Sequence, residues 1–119
     1  MSGKSTDPVR LVSEQVEAYN HRDLDRVLSY YADDAELVDA MGKLIVSGKT
    51  GIRDVFAEVF SKNPNLHAEL PTVVRVGDWV AIHTFVEDWA HRDGSRRRMD
   101  WVELYLVEGG EIRRMQLFS

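Results

Sequence analysis

The sequence predicts an α+β fold in which three helices pack against a mainly antiparallel sheet. Apolar residues recur at three- and four-residue spacing in most of the first half of the chain, as in amphipathic helices. From residue 66 onward the pattern changes to strands separated by glycine-containing turns. Helices first and strands later favour an α+β arrangement over alternating α/β units.

Composition limits the possible partners and locations of the chain. Its 119 residues fit one domain, and 44% hydrophobic residues supply a small core. The net charge of -5 argues against nucleic acid as a partner. No cysteine is present, and residues 1–8 lack the apolar segment of a signal peptide, so we expect a cytoplasmic protein with no membrane partner. We divide it into a flexible N-terminus, residues 1–7, and a single domain, residues 8–119.

The first two helices are predicted from their caps and apolar stripes. Asp7-Pro8 is typical of an N-cap followed by proline at the first helical position, and this helix should continue to about His21. Asp23 is a good N-cap for the second helix, which should end within residues 32–35. The apolar positions of the second helix are Leu24, Val27, Leu28 and Tyr31.

Two short strands, 35–39 and 44–46, should join the second helix to the third and turn at Met41-Gly42. Asp39 ends the first of them, where a carboxylate either starts the turn or acts as a general base. The third helix should follow residues 49–51. Its apolar stripe consists of Ile52, Val55, Phe56, Val59 and Phe60.

Four longer strands are expected at 67–76, 79–91, 96–107 and 111–118. Pro71 lies near the middle of the first, which indicates an edge strand or a bulge. Asp93-Gly94 predicts a two-residue type I′ turn between the second and third. That turn would set Phe85 opposite Val102.

Side-chain alternation then divides this hairpin into two faces. One face carries Asp100 with His83, Phe85, Glu87, Arg98 and Val102, and the other carries Ile82, Val86, Trp101 and Tyr105. Both faces are apolar, so both need a cover. We expect the helices to cover the first face, which would line an internal cavity. The second would form the interface of a homodimer through the outer face of the sheet.

Residues 20–53 carry a recognisable pattern: Asn20, Asp23-Leu24-Asp25, Ala32-Asp33-Asp34-Ala35, Asp39, Gly48 and Ile52-Arg53. This pattern resembles the ketosteroid isomerase branch of the SnoaL-like, NTF2-like superfamily, and the resemblance extends from about Val9 to Phe118. It implies a cystatin-like cone, in which the helices pack on a curved sheet around a hydrophobic pocket. It also implies that Asp39 is the proton-shuttling base and Asp100 a second pocket acid.

The chain departs from that family at the first helix, because Gln15 stands where the family has its oxyanion tyrosine. Tyr19 is one turn later on the same stripe and could replace it. The predicted pocket consists of Gln15, Tyr19, Tyr31, Phe56, Phe60, His83, Phe85, Glu87, Arg98, Val102 and Met115. The four histidines show no metal-ligand spacing, so we expect neither a metal nor another cofactor.

These observations predict an isomerase that moves a proton on a small carbonyl compound without a cofactor. Several alternatives remain open: a small-ligand-binding module without turnover, an interaction domain, or an enzyme related to polyketide cyclases or epoxide hydrolases. The Arg98-x-Asp100 spacing is similar to a catalytic pair in limonene epoxide hydrolases. Arg98, Glu87 and Asp100 could equally form a structural ion-pair cluster.

Overall fold

The computed structural model describes residues 7–119, so the predicted flexible N-terminus lies outside it except for Asp7. Within that range it contains helices α1 (Pro8–Asn20), α2 (Leu24–Ser29) and α3 (Gly48–Lys62) and the strands β1 (Tyr31–Val38), β2 (Leu44–Ser47), β3 (Ala68–Val76), β4 (Trp79–Ala90), β5 (Arg96–Glu108) and β6 (Glu111–Phe118). The strands form one sheet in the order β2-β1-β6-β5-β4-β3. Only the β1–β6 pair is parallel among them, which confirms the predicted α+β fold with a mainly antiparallel sheet. Among residues 7–119, no helix is both long and apolar enough to cross a membrane.

The first helix begins as predicted, whereas the second is shorter than predicted. Asp7 caps α1 by accepting a hydrogen bond from the Val9 N–H at 3.0 Å. Helix α2 ends at Ser29, whose hydroxyl donates to the Arg26 carbonyl and so competes with the helical hydrogen bonds. Tyr31, expected on the helical stripe, instead begins β1 opposite Ile112 of β6. Tyr31 is nevertheless completely buried in the core, so the residue expected to be apolar and covered is covered, but from a strand instead of a helix.

Pro71 lies in β3, and both structural features that it predicted are present. Strand β3 is at the edge of the sheet, and its pairing with β4 shifts register between Glu69 and Thr72. Proline has no N–H to donate to a neighbouring strand, so it disturbs the hydrogen bonding of a sheet least at an irregular position in an edge strand.

The β4–β5 hairpin has a longer loop than the predicted two-residue turn. The His91 N–H donates to the Ser95 carbonyl, and Gly94 alone within this loop has a positive φ, of 87°. A type I′ turn would need positive φ at both central residues, so this is a three-residue loop with glycine in the left-handed position. A further register shift follows between Val86 and Trp89. Phe85 therefore pairs with Asp100 rather than with Val102.

The helices cover the face of the hairpin that was expected to lie outside. Ile82, Val86, Trp101 and Tyr105 are buried in the core, and α1 packs on β4 and β5. The assignment of these four residues to an outer homodimer face was therefore wrong. The physical reason is that this face, which also carries Val80 and Val107, is the more apolar of the two.

Candidate functional site

Glu103 is the acidic side chain at the centre of the covered face. It lies between Trp101 and Tyr105, which alternate with outward-facing residues along β5. Its Oε2 accepts a hydrogen bond from Trp101 Nε1 at 2.9 Å, and its Oε1 accepts one from the Tyr105 hydroxyl at 2.7 Å. Burial raises the pKa of the Glu103 carboxyl, and the two hydrogen bonds act in the opposite direction. The burial effect is larger, so the site favours a neutral carboxylic acid.

Tyrosines and a glutamine extend the polar group around Glu103. The Tyr31 hydroxyl donates to Gln15 Oε1 at 2.7 Å, and Gln15 is itself buried. Burial raises the pKa values of Tyr19, Tyr31 and Tyr105, and ionisation of Glu103 would raise them further. These phenols therefore stay neutral and can serve as hydrogen-bond donors.

Two adjoining cavities meet at Glu103. The smaller has a volume of about 10 Å³, and among its lining residues are Gln15, Thr84 and Tyr105. The larger is a cleft of about 220 Å³ with an apolar lining that includes Val55, Val59, Trp89, Met99, Met115 and Leu117. Tyr19, Phe56, Trp101 and Glu103 line both. A cavity of about 150 Å³ can hold benzene, so the cleft has room for a compound of one or two rings.

Six of the predicted pocket residues are brought together here. Gln15, Tyr19, Phe56 and Met115 line the cavities themselves. Tyr31 packs against Phe56 with ring centroids 5.9 Å apart. Phe60 packs edge-on against Tyr19 at 5.3 Å. These six side chains come from α1, α3, β1 and β6.

The remaining predicted residues lie on the uncovered face of the sheet: His83, Phe85, Glu87, Arg98, Asp100 and Val102. Their placement in the pocket was wrong, because the face that includes Phe85 and Asp100 is the more polar one and stays toward solvent. An Arg98–Asp100 catalytic pair in this cavity is excluded by the same placement.

Arg98 instead holds an ion-pair cluster on that uncovered face. Its Nε lies 2.8 Å from Asp100 Oδ1, and its Nη1 lies 3.2 Å from Glu87 Oε1. The guanidinium also lies 3.8 Å above the centre of the Phe85 ring. All three charged side chains are about half exposed or more, so solvent screens both ion pairs and they stabilise the fold little. The structural alternative for this cluster fits the observed contacts.

Asp39 lies just after β1 and is half-buried. Its Oδ1 accepts hydrogen bonds from the Met41 and Lys43 N–H groups, both at 2.9 Å. These contacts fit the turn role that was one of its two predicted alternatives. Asp39 is not among the residues that line the two cavities in the described part of the chain.

Glu103, Trp101 and Thr84 line the cavities although the sequence analysis did not select them as pocket residues. The available signal was the comparison of the two hairpin faces. The face with Val80, Ile82 and Val86 is more apolar than the face with His83 and Glu87. Choosing the more apolar face as the covered one brings Glu103 into the pocket automatically.

The raised pKa of Glu103 predicts a pH-dependent effect on stability. Below the ordinary value of 4.5, the carboxyl is protonated in the folded and the unfolded chain alike. As the pH rises from 4.5 through the folded-state pKa, the unfolded chain ionises more readily, so the free energy of unfolding falls. We expect Glu103→Gln to have a higher Tm than the parent at pH 7, and the difference to shrink as the pH approaches 4.5.

Thermal unfolding at several pH values between 4.5 and 8 would measure this difference. Glu108→Gln is the matched control, because Glu108 is exposed at the end of the same strand. It should show no such pH-dependent gain. Identical Tm profiles for the two variants would contradict the effect assigned to burial of Glu103.

Comparisons with known proteins agree with this fold and extend over nearly the whole chain. A cystatin-fold protein from Novosphingobium aromaticivorans is 30% identical, with 98% of this chain and 100% of that chain covered and a TM-score of 0.83. A SnoaL-like polyketide cyclase from Agrobacterium tumefaciens is 22% identical, covering 92% and 88% of the two chains, with a TM-score of 0.75. The epoxide hydrolase/cyclase-like enzyme SalBIII, with a role in pyran ring formation in the polyether salinomycin, is 16% identical, covering 96% and 93%, with a TM-score of 0.81.

Sequence comparison gives the family directly. No curated protein sequence matches the chain significantly. The family described as SnoaL-like domain matches residues 12–115, which include every helix and strand of the structure in whole or in part. The chain therefore belongs to the SnoaL-like domain family.

Proposed function

We propose that the protein binds a small ring-bearing carbonyl compound in the cleft and catalyses a proton transfer on it without a cofactor. The observation that carries this proposal is the Glu103 carboxyl in an aromatic, largely apolar site that raises its pKa. A carboxyl whose pKa is raised by burial can, in its neutral form, donate a hydrogen bond to a carbonyl oxygen as negative charge develops there. Such stabilisation of an oxyanion is often a large term in catalysis.

Glu103 takes the role that the family resemblance assigned to Asp100. The neutral acid donates to the substrate carbonyl oxygen, while a base removes a proton from the adjacent carbon and later returns a proton further along the skeleton. Tyr105 and Trp101 hold the carboxyl in place through their hydrogen bonds. The apolar side chains that line the cleft make the surroundings of Glu103 less polar than water, which strengthens each of these interactions.

Asp39 is the proposed base. It follows Leu37 by two residues, and Leu37 is buried opposite Met115, which lines the cleft. Two residues of extended chain span about 7 Å, so the Asp39 backbone lies within that distance of Leu37. The turn contacts of the side chain occupy Oδ1, and a carboxylate has further lone pairs on its other oxygen.

Two substitutions at Asp39 distinguish a catalytic role as the base from a structural role in the turn. Asp39→Asn keeps an acceptor oxygen for the Met41 and Lys43 N–H groups but cannot take up the proton. We expect it to lower kcat by at least ~100-fold and to change the free energy of unfolding by less than ~1 kcal/mol. Asp39→Ala should lose the activity and also about 1–2 kcal/mol of stability. If Asp39→Asn keeps full activity, Asp39 is not the base and its role is only to stabilise the turn.

The second candidate function is ligand binding without turnover, and the mostly apolar cleft favours it as much as it favours catalysis. The test is an absorbance assay that follows formation of conjugated product from a panel of β,γ-unsaturated ketones. The cyclase names of two structural relatives make ring-bearing carbonyl compounds the first class to include. Compounds that bind but give no product with the parent protein would support the binding module.

We also propose that the protein is a homodimer formed through the uncovered face of the sheet. The side chains that support this proposal differ from those first expected. Large apolar residues exposed on this face are Val74, Val76, Trp79, Val102 and Phe118. They come from the four neighbouring strands β3 to β6, so they form one continuous patch of the kind that marks interaction surfaces.

A further inference from the structure

Thr84 is a buried polar residue in the smaller cavity that the proposed proton transfer does not use. It lies on the covered face of β4, opposite Trp101 of β5, and only 2% of its surface is exposed. Its Oγ1 has no hydrogen-bond partner among residues 7–119. A buried hydroxyl without a partner is unfavourable, and such groups in folded proteins are uncommon enough to need an explanation.

The neighbours of Thr84 in the cavity already use much of their hydrogen-bonding capacity. Gln15 Oε1 accepts from the Tyr31 hydroxyl. The two oxygens of Glu103 accept from Trp101 and Tyr105. The Thr84 hydroxyl can both donate and accept, and both functions are available toward the cavity.

The volume of the smaller cavity limits the size of the group that can form a hydrogen bond with the Thr84 hydroxyl. A volume of about 10 Å³ accommodates about one water-sized group. The cavity shares Tyr19, Phe56, Trp101 and Glu103 with the apolar cleft. A compound whose ring occupies the cleft could therefore place a single oxygen atom between Thr84 and Glu103.

We propose that Thr84 is a specificity-determining residue that selects ligands with one hydroxyl or carbonyl oxygen at the end of an apolar ring. This inference deepens the proposed function, because it depends on the cleft binding a small ring compound. The Thr84 hydroxyl can form a hydrogen bond with a ligand oxygen atom. A hydrocarbon of the same shape cannot form this bond and leaves the hydroxyl without a partner. Loss of a hydrogen bond of this kind lowers affinity by about 3- to 10-fold.

Phenol and toluene are suitable probes, since they have nearly the same shape and differ by a hydroxyl in place of a methyl group. Their dissociation constants would be measured by NMR titration with the parent, with Thr84→Val and with Thr84→Ser. Thr84→Val keeps the branched shape without the hydroxyl. It should weaken phenol binding by about 3- to 10-fold and leave toluene binding unchanged or stronger. Thr84→Ser keeps the hydroxyl and should retain the parent ratio of the two affinities.

The outcomes distinguish this proposal from the proposed function. If both probes bind and their affinity ratio is the same in the parent and in Thr84→Val, the role of Thr84 is overturned while the ligand-binding cleft stands. A hydroxyl that only holds a structural water would give that result. If neither probe binds the parent, the ligand-binding cleft fails and the role of Thr84 fails with it. Should Thr84→Val not fold, Thr84→Ala supplies the same comparison.

Discussion

Glu103→Gln should lower kcat for a β,γ-unsaturated ketone by up to about 100-fold. An amide N–H is a weaker donor to a developing oxyanion than a neutral carboxyl, and complete loss of such a donor costs about 100- to 1,000-fold. The glutamine has nearly the same shape, and its carbonyl oxygen can still accept from Trp101 Nε1. The Tyr105 hydroxyl can rotate to accept from the new amide group. The side chain therefore stays in place, but its amide stabilises the negative charge on the substrate oxygen less than a neutral carboxyl does. Substrate binding should change much less than turnover.

Asp100 provides a control for this measurement. Asp100→Asn lies on the same strand but on the uncovered face, where it pairs with Arg98, so it should keep kcat within about two-fold of the parent. A comparable loss in Glu103→Gln and Asp100→Asn would mean that overall charge or stability explains the effect. Equal rates for the parent and Glu103→Gln on every ketone would remove the catalytic proposal. Binding without turnover would then be the remaining function.

The sequence predicted the elements of the fold better than it predicted their faces. Periodicity, caps and turn residues were sufficient to locate the three helices and the strands along the chain, although α2 ends earlier than predicted, and to indicate the irregular edge strand at Pro71. They also gave the correct grouping of Phe85, Glu87, Asp100 and Val102 on one face. Alternation alone does not say which face the helices cover. That choice depends on the total apolar area that each face buries, which is a property of the whole sheet.

The candidate site depended on that choice. The family resemblance led to Asp100 as the second acid, but the acid that reaches the pocket is Glu103, three residues later. An odd-numbered displacement along a strand moves a side chain to the opposite face. The irregular pairing between Val86 and Trp89 adds to the difficulty, because it returns Trp89 to the pocket beside Trp101. Bulges of this kind have no strong sequence signal.

The reversed faces also change which residues should form the homodimer. Four neighbouring strands about 4.8 Å apart and about eight residues long cover roughly 500 Å² on each protomer. Two copies would bury about 1,000 Å² in total, which is close to the lower limit for a stable interface. Trp79 is the large aromatic side chain on this patch and is 39% exposed in the single chain. Aromatic residues of this kind often dominate the binding energy of an interface.

Val102→Lys should convert the proposed homodimer into a monomer. Val102 lies in the patch between His83 of β4 and Phe118 of β6. A lysine there would bury a charge of each copy in the apolar interface, and we expect the dimer Kd to rise at least ~100-fold. Met41→Lys is the matched control, since Met41 is exposed in a turn outside the patch. Sedimentation at micromolar concentration should show a dimer for the parent and for Met41→Lys, but a monomer for Val102→Lys. A monomeric parent, or identical behaviour of the two variants, would exclude the interface.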